Sequence, residues 1–224
     1  MAPRTLAVGL LLVLLAAPLA GCVSLTPAKV PQNLLGGNGW RLDTGRSDDA
    51  PRSEAFGLAA RQSLVYVDEG RSPRGYPGQI LLLTLKGLLT PSDESIKDQV
   101  RTQVLEGAAA AGIAVGAQSR EGRRALASGA TSTFFTYDGV VRGGGGVFTT
   151  SKAEVKILGE VWHCRQTGTS VLAVALAQVS DVDAVGGVEL PANRDATTWR
   201  EIVADPSGAL DGTGNGLVYA VTCA

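Results

Sequence analysis

Histidine is nearly missing from this 224-residue chain: His163 stands alone, methionine occurs once and cysteine three times. These shortages exclude chemistry. No Cys-x-x-Cys or His-x-x-x-His spacing exists to hold zinc, so no metal site is expected. There is no Gly-x-Ser-x-Gly elbow and no Ser-x-x-Lys, and a single histidine leaves little to act as a base, so no catalytic residue is assigned and no cofactor is expected. Basic residues are not in excess either. Twenty Lys and Arg against 21 Asp and Glu give a net charge of -1, which speaks against a nucleic-acid partner, since phosphate binding rests on clustered cations. No internal repeat or heptad occurs, which removes solenoids and coiled coils. Glycine is what the chain has in plenty. Its 29 glycines are about twice the usual share, yet with 10 prolines they stay below the level of a low-complexity segment. A folded chain with generous loops is expected.

The N-terminus carries the clearest message. Arg4 is the one charge in residues 1–5, and residues 6–15 are wholly apolar, the pattern of a secretory leader. Such a run spans about 15 Å as a helix, whereas the hydrocarbon layer is about 30 Å thick and takes about 20 residues to cross. It engages a translocon but makes a poor permanent span. Leu19-Ala20-Gly21-Cys22 follows at the right distance and resembles the lipobox of bacterial lipoproteins. The resemblance implies cleavage of residues 1–21, diacylglycerol on the Cys22 sulfur and attachment of the mature chain to a membrane. Three acyl chains, as is usual in that family, would make attachment nearly irreversible, because one chain alone binds only marginally. Val23 after the cysteine implies, by the same resemblance, the outer membrane facing the periplasm.

Loss of Arg4 leaves the mature chain with a net charge near -2. Residues 22–61 are irregular and rich in Pro, Gly and polar residues, and read as a lipidated N-terminus and flexible tether with Trp40 docked locally. Residues 62–224 then suffice for a single globular domain. Cys164 and Cys223 are the only other cysteines, and export places them where paired thiols tend to close into a disulfide. Two buried free thiols are the alternative.

The expected fold is α/β: a single mixed sheet with a βαβ unit, a late antiparallel hairpin and two or three helices. Residues 64–67 form a short strand, and residues 79–85 an apolar one covered on both faces. Thr90 and Pro91 open a helix whose face carries Ile96, Val100, Val104, Ala108 and Ala111, and Gly112 closes it. Residues 113–115 return as a strand, which completes a βαβ unit with a right-handed crossover. A short helix at 119–127 precedes a strand at 131–137. Val155, Ile157 and Val161 alternate with Glu154, Lys156 and Glu160, which gives a strand with one wet face, and residues 165–168 turn it into the apolar strand 171–177. Asp195 caps a helix with Trp199, Ile202 and Val203 on one side, and residues 217–221 make a last strand.

The remaining candidates have bland readings beside sharper ones. His163, in phase with Val155, Ile157 and Val161, is a packed or partly covered histidine rather than a base. Asp181 and Asp183 form half a calcium loop without its glycine register or distal glutamate, and a solvated turn explains them. Asp68 with Glu69, and Asp93 with Glu94, sit at element ends where turn and helix-dipole roles suffice. The four glycines 143–146 precede a strand and make a hairpin loop rather than a phosphate cradle. Arg120, Arg123 and Arg124 are the one basic cluster, either a solvated helix face or a site for an anionic glycan or lipid headgroup.

The apolar strand from Ile80 to Leu85, the helix ending at Gly112, the strand after it and the hairpin with its Thr167-Gly168 turn resemble small periplasm-facing envelope-assembly lipoproteins. Curli-secretion lipoproteins and activators of penicillin-binding proteins are of this kind. The resemblance is one of topology over part of the chain and carries no functional residue. The expected function is that of a membrane-anchored envelope lipoprotein that binds a protein partner or scaffolds an envelope complex without catalysis. The alternative is an enzyme acting on cell-wall or extracellular polymer through carboxylates drawn from distant segments.

Overall fold

A computed structural model describes residues 24–36, 39–54, 59–68, 78–87, 93–142, 152–179, 199, 201–203 and 216–223. Cys22, Thr90, Pro91, the glycines 143–146, Asp181, Asp183 and Asp195 lie outside the described residues.

Strands dominate. They are β1 (Trp40–Leu42), β2 (Arg52–Glu54), β3 (Ala59–Asp68), β4 (Gln79–Gly87), β5 (Ile113–Ala125), β6 (Thr131–Arg142), β7 (Lys152–Cys164) and β8 (Thr169–Gln178). The helices are α1 (Gln32–Leu35) and α2 (Asp93–Ala110), with a further helical turn at 201–203. The eight strands form one sheet in the order β1-β3-β4-β8-β7-β6-β5, with β2 beside β3. The expected mixture of helix and strand holds in outline, but every pairing in this sheet is antiparallel, so the mixed sheet is corrected. Strand β4, helix α2 and strand β5 do follow one another as expected. Through the three strands β8, β7 and β6 between them, β4 and β5 run in the same direction without touching. The βαβ expectation therefore captures direction and misses adjacency.

Helix α2 forms because Val100, Val104 and Ala108 recur on one face, and it lays that face on the sheet against Phe135, Tyr137, Val155, Ile157 and Val161. It stops at Gly112, whose φ of 74° suits a residue without Cβ, and the Gly112 N–H donates to the Ala109 carbonyl at 3.0 Å. The β7–β8 hairpin turns at Gly168, φ 63°, whose N–H donates to the Cys164 carbonyl at 2.9 Å.

The opposite face of the sheet is covered as well, by chain that alternation could not assign. Ala28, Val30 and Leu35 from the N-terminal segment, Trp199, Ile202 and Val203, and Leu217, Val218 and Val221 pack on Ile80, Leu82, Leu158, Trp162, Val171 and Ala173. Two expectations change in consequence. Residues 24–36 and 39–54 are part of the domain rather than tether: Leu25, Ala28, Val30, Leu35 and Trp40 are buried, and the Ala28 N–H donates to Thr84 Oγ1 at 2.9 Å. Strand β7 has no wet face along Leu158, Glu160 and Trp162, all of which are buried.

Two further elements differ from expectation. Residues 119–127 continue β5 through Ala125 instead of forming a helix, because their backbone pairs with β6. Residues 217–220 are turns, and Thr222 makes an isolated antiparallel bridge with Lys29, so no last strand forms.

Candidate functional site

The antiparallel register brings the end of β5, the start of β6, the end of β7 and the start of β8 to one end of the sheet. There a cavity of about 800 Å³ opens between the 126–130 turn, the hairpin turn and the C-terminal segment. Its described lining includes Arg123, Thr131, Thr133, Trp162, His163, Arg165, Gln166, Ser170 and Thr222, and no carboxylate. Cys164 and Cys223 lie in its wall and are bonded, with Cα atoms 5.7 Å apart across 59 residues. The expected pairing is thus met, with the C-terminal segment fastened to the end of β7. His163 is half-buried, as its phase suggested, with Nδ1 3.4 Å from Ser170 Oγ. Trp162 also lines the cavity, and its buried indole N–H has no hydrogen-bond partner.

The basic cluster is dispersed by the strand that replaces the expected helix. Arg120 lies over the Phe134 ring at 6.0 Å, Arg123 is exposed at the cavity, and Arg124 is buried. Arg124 forks onto Glu160, Nε to Oε1 at 2.8 Å and Nη2 to Oε2 at 2.6 Å, and Nη1 donates to the Val203 carbonyl at 3.2 Å. Ser132 Oγ donates to the same carboxylate at 2.5 Å. With Glu160 fully buried, this network fastens β5, β6 and β7 to the helical turn that covers them. Sequence reading missed it. The available signal was the phase of Glu160, which falls in step with Leu158 and Trp162 and so belongs to a face that other segments cover.

A second cavity of about 800 Å³ lies at the other flank, between the N-terminal segment, β1 and β3. Val30, Leu35, Leu64 and Tyr66 give it an apolar floor, and Gln62 Oε1 is buried there without a partner. The Tyr66 hydroxyl accepts from the Val30 N–H at 3.2 Å, and burial raises its pKa.

Elsewhere, acids are held by hydrogen bonds and cations. Asp48 accepts from Ser63 Oγ at 2.7 Å and the Ser63 N–H at 2.9 Å, and pairs with Arg52 at 2.6 Å. The Ser63 side-chain bond is the main reason its pKa is lowered. Glu121, whose pKa is lowered chiefly by Lys97, also meets Gln118 and Arg101 and ties β5 to α2. Among the described residues no group of three or more His, Cys, Asp or Glu side chains is placed to hold a metal ion.

Comparison with known proteins gives no match: no family model fits the chain, and no curated protein or solved structure is similar to it.

Proposed function

We propose that this chain is a lipid-anchored protein of the bacterial envelope, held on a membrane through Cys22 and acting there as a noncatalytic partner-binding or scaffolding component. The lipobox Leu19-Ala20-Gly21-Cys22 carries the reading. The disulfide between Cys164 and Cys223 fits an exported chain, because such bonds persist in oxidising compartments. The way the domain begins sharpens it. Leu25 is already buried, and Lys86 Nζ donates to the Ser24 carbonyl at 3.0 Å. Three residues of chain reach about 10 Å at most, so a lipidated Cys22 holds the domain directly against the headgroups instead of on a long tether. We place it on the outer membrane, facing the periplasm, with an envelope protein as partner.

Incorporation of labelled palmitate by the full chain and by Cys22→Ser tests the anchor. Label in the wild type and none in the variant, which accumulates as precursor, is the expected result; equal incorporation overturns it. Crosslinking in intact cells followed by recovery of the chain then identifies the partner.

A further inference from the structure

We propose that the cavity beside the disulfide is a binding site for the phosphate headgroup of an anionic lipid in the membrane that carries the anchor. The inference rests on the anchored reading above.

The cavity is locally cationic in a chain whose net charge is -1, so general basicity does not explain it. Arg123 and Arg165 are exposed at its wall, and neither meets a carboxylate among the described residues. Two guanidinium groups with no acid partner among the described residues are suited to phosphate oxygens, which they can grip bidentately. Hydroxyls from Thr131 and Ser170 add neutral donors in the same wall. The arrangement selects for an oxyanion and against a cation.

Position selects the source of that oxyanion. Leu85 in β4 pairs with Ser170 in β8, which lines the cavity, and the next residue, Lys86, holds Ser24. Lys29 bridges to Thr222, another lining residue. The start of the domain and the cavity therefore share one end of the sheet: Ser170 in β8 is one strand spacing from β4, the β7–β8 turn with Arg165 one to two, about 5 to 10 Å, and Arg123 in β5 four, about 19 Å. Cys22 is two residues before Ser24, about 7 Å of chain. A lipid anchor at Cys22 brings the arginines to headgroup level, where a phosphodiester is the abundant anion. Free phosphate would require no such placement.

The test uses residues 22–224 with Cys22→Ser, which retains every described residue and has no acyl chain to bind on its own account. Binding is measured to vesicles of phosphatidylcholine alone and of phosphatidylcholine mixed with phosphatidylglycerol, and to inorganic phosphate in solution. The expected result is binding to the phosphatidylglycerol vesicles only, weakened roughly thirtyfold in Arg123→Gln/Arg165→Gln, because each cation near an anionic surface is worth about a tenfold factor or somewhat less. Arg46→Gln/Lys156→Gln removes as much charge at the opposite end of the sheet and should bind as the parent does. Equal weakening by both pairs, or no weakening by the first, overturns the site. Binding of inorganic phosphate without binding to vesicles overturns the lipid source. Retained melting temperature in each variant shows that the fold is intact. Palmitate labelling fails or succeeds independently, so a labelled chain whose cavity ignores phosphatidylglycerol refutes this inference and leaves the anchor standing.

Discussion

At the level of single side chains, the buried Arg124–Glu160 pair joins three strands and the segment over them. A buried pair gains little over an apolar replacement, but removing one partner strands the other charge at a cost of about 3 to 5 kcal/mol. Arg124→Met should therefore lower unfolding free energy by that amount in urea titrations, and Arg124→Met/Glu160→Leu should recover most of it. A double variant as unstable as the single one would contradict the pairing. Asp48 makes a prediction in pH. Its folded pKa lies below the ordinary aspartate value, so its stabilisation is fully present above about pH 4 and is lost as pH falls through the folded pKa. Between about pH 5 and pH 3 the melting temperature should fall further in the wild type than in Asp48→Asn.

Individual elements were legible where one chemical pattern dominated. The apolar run of β4, the spaced Val100, Val104 and Ala108 of α2, and the Thr167-Gly168 turn each announce their element. Residues 119–125 were not legible, because a charged edge strand and a charged helix face have the same composition, and only pairing with β6 decides between them. Partner strands explain the glycines as well. Gly122 lies opposite Phe134 and Gly159 opposite Phe135, and an added Cβ at either would collide with the facing ring. Gly159→Ala should cost about 1 to 3 kcal/mol by overpacking, read as a lowered urea midpoint. On α2, Val104 is buried while Thr102 is exposed and bonds back to the Asp98 carbonyl. Val104→Asp should cost several kcal/mol, a large part of the roughly 5 to 15 kcal/mol that holds a domain, and Thr102→Asp almost nothing. Equal melting temperatures for the two would mean that α2 lies on the sheet by another face.

At the scale of the whole molecule, residues 24–36 and 216–223 are drawn to the same face of the sheet, where Lys29 bridges Thr222 and Cys223 is bonded to Cys164. That convergence could not be read from the sequence, since the N-terminal segment has no periodicity and its burial depends on the apolar face it finds. The pairing of Cys164 with Cys223 was legible, because they are the only cysteines besides Cys22. Closing a loop of this size stabilises by at most about 4 kcal/mol, so Cys164→Ala/Cys223→Ala should unfold at lower urea by no more than that. In the proposed reading an anchor at Cys22, the buried start of the domain and the cavity belong to one end of the sheet, and that proposal depends on where the mature chain begins. Mass spectrometry of the N-terminal peptide of the chain isolated from its own membranes measures this most directly. The account predicts a peptide that starts at Cys22 and carries the mass of its acyl chains; an unmodified Cys22, or a mature chain that starts elsewhere, would contradict it.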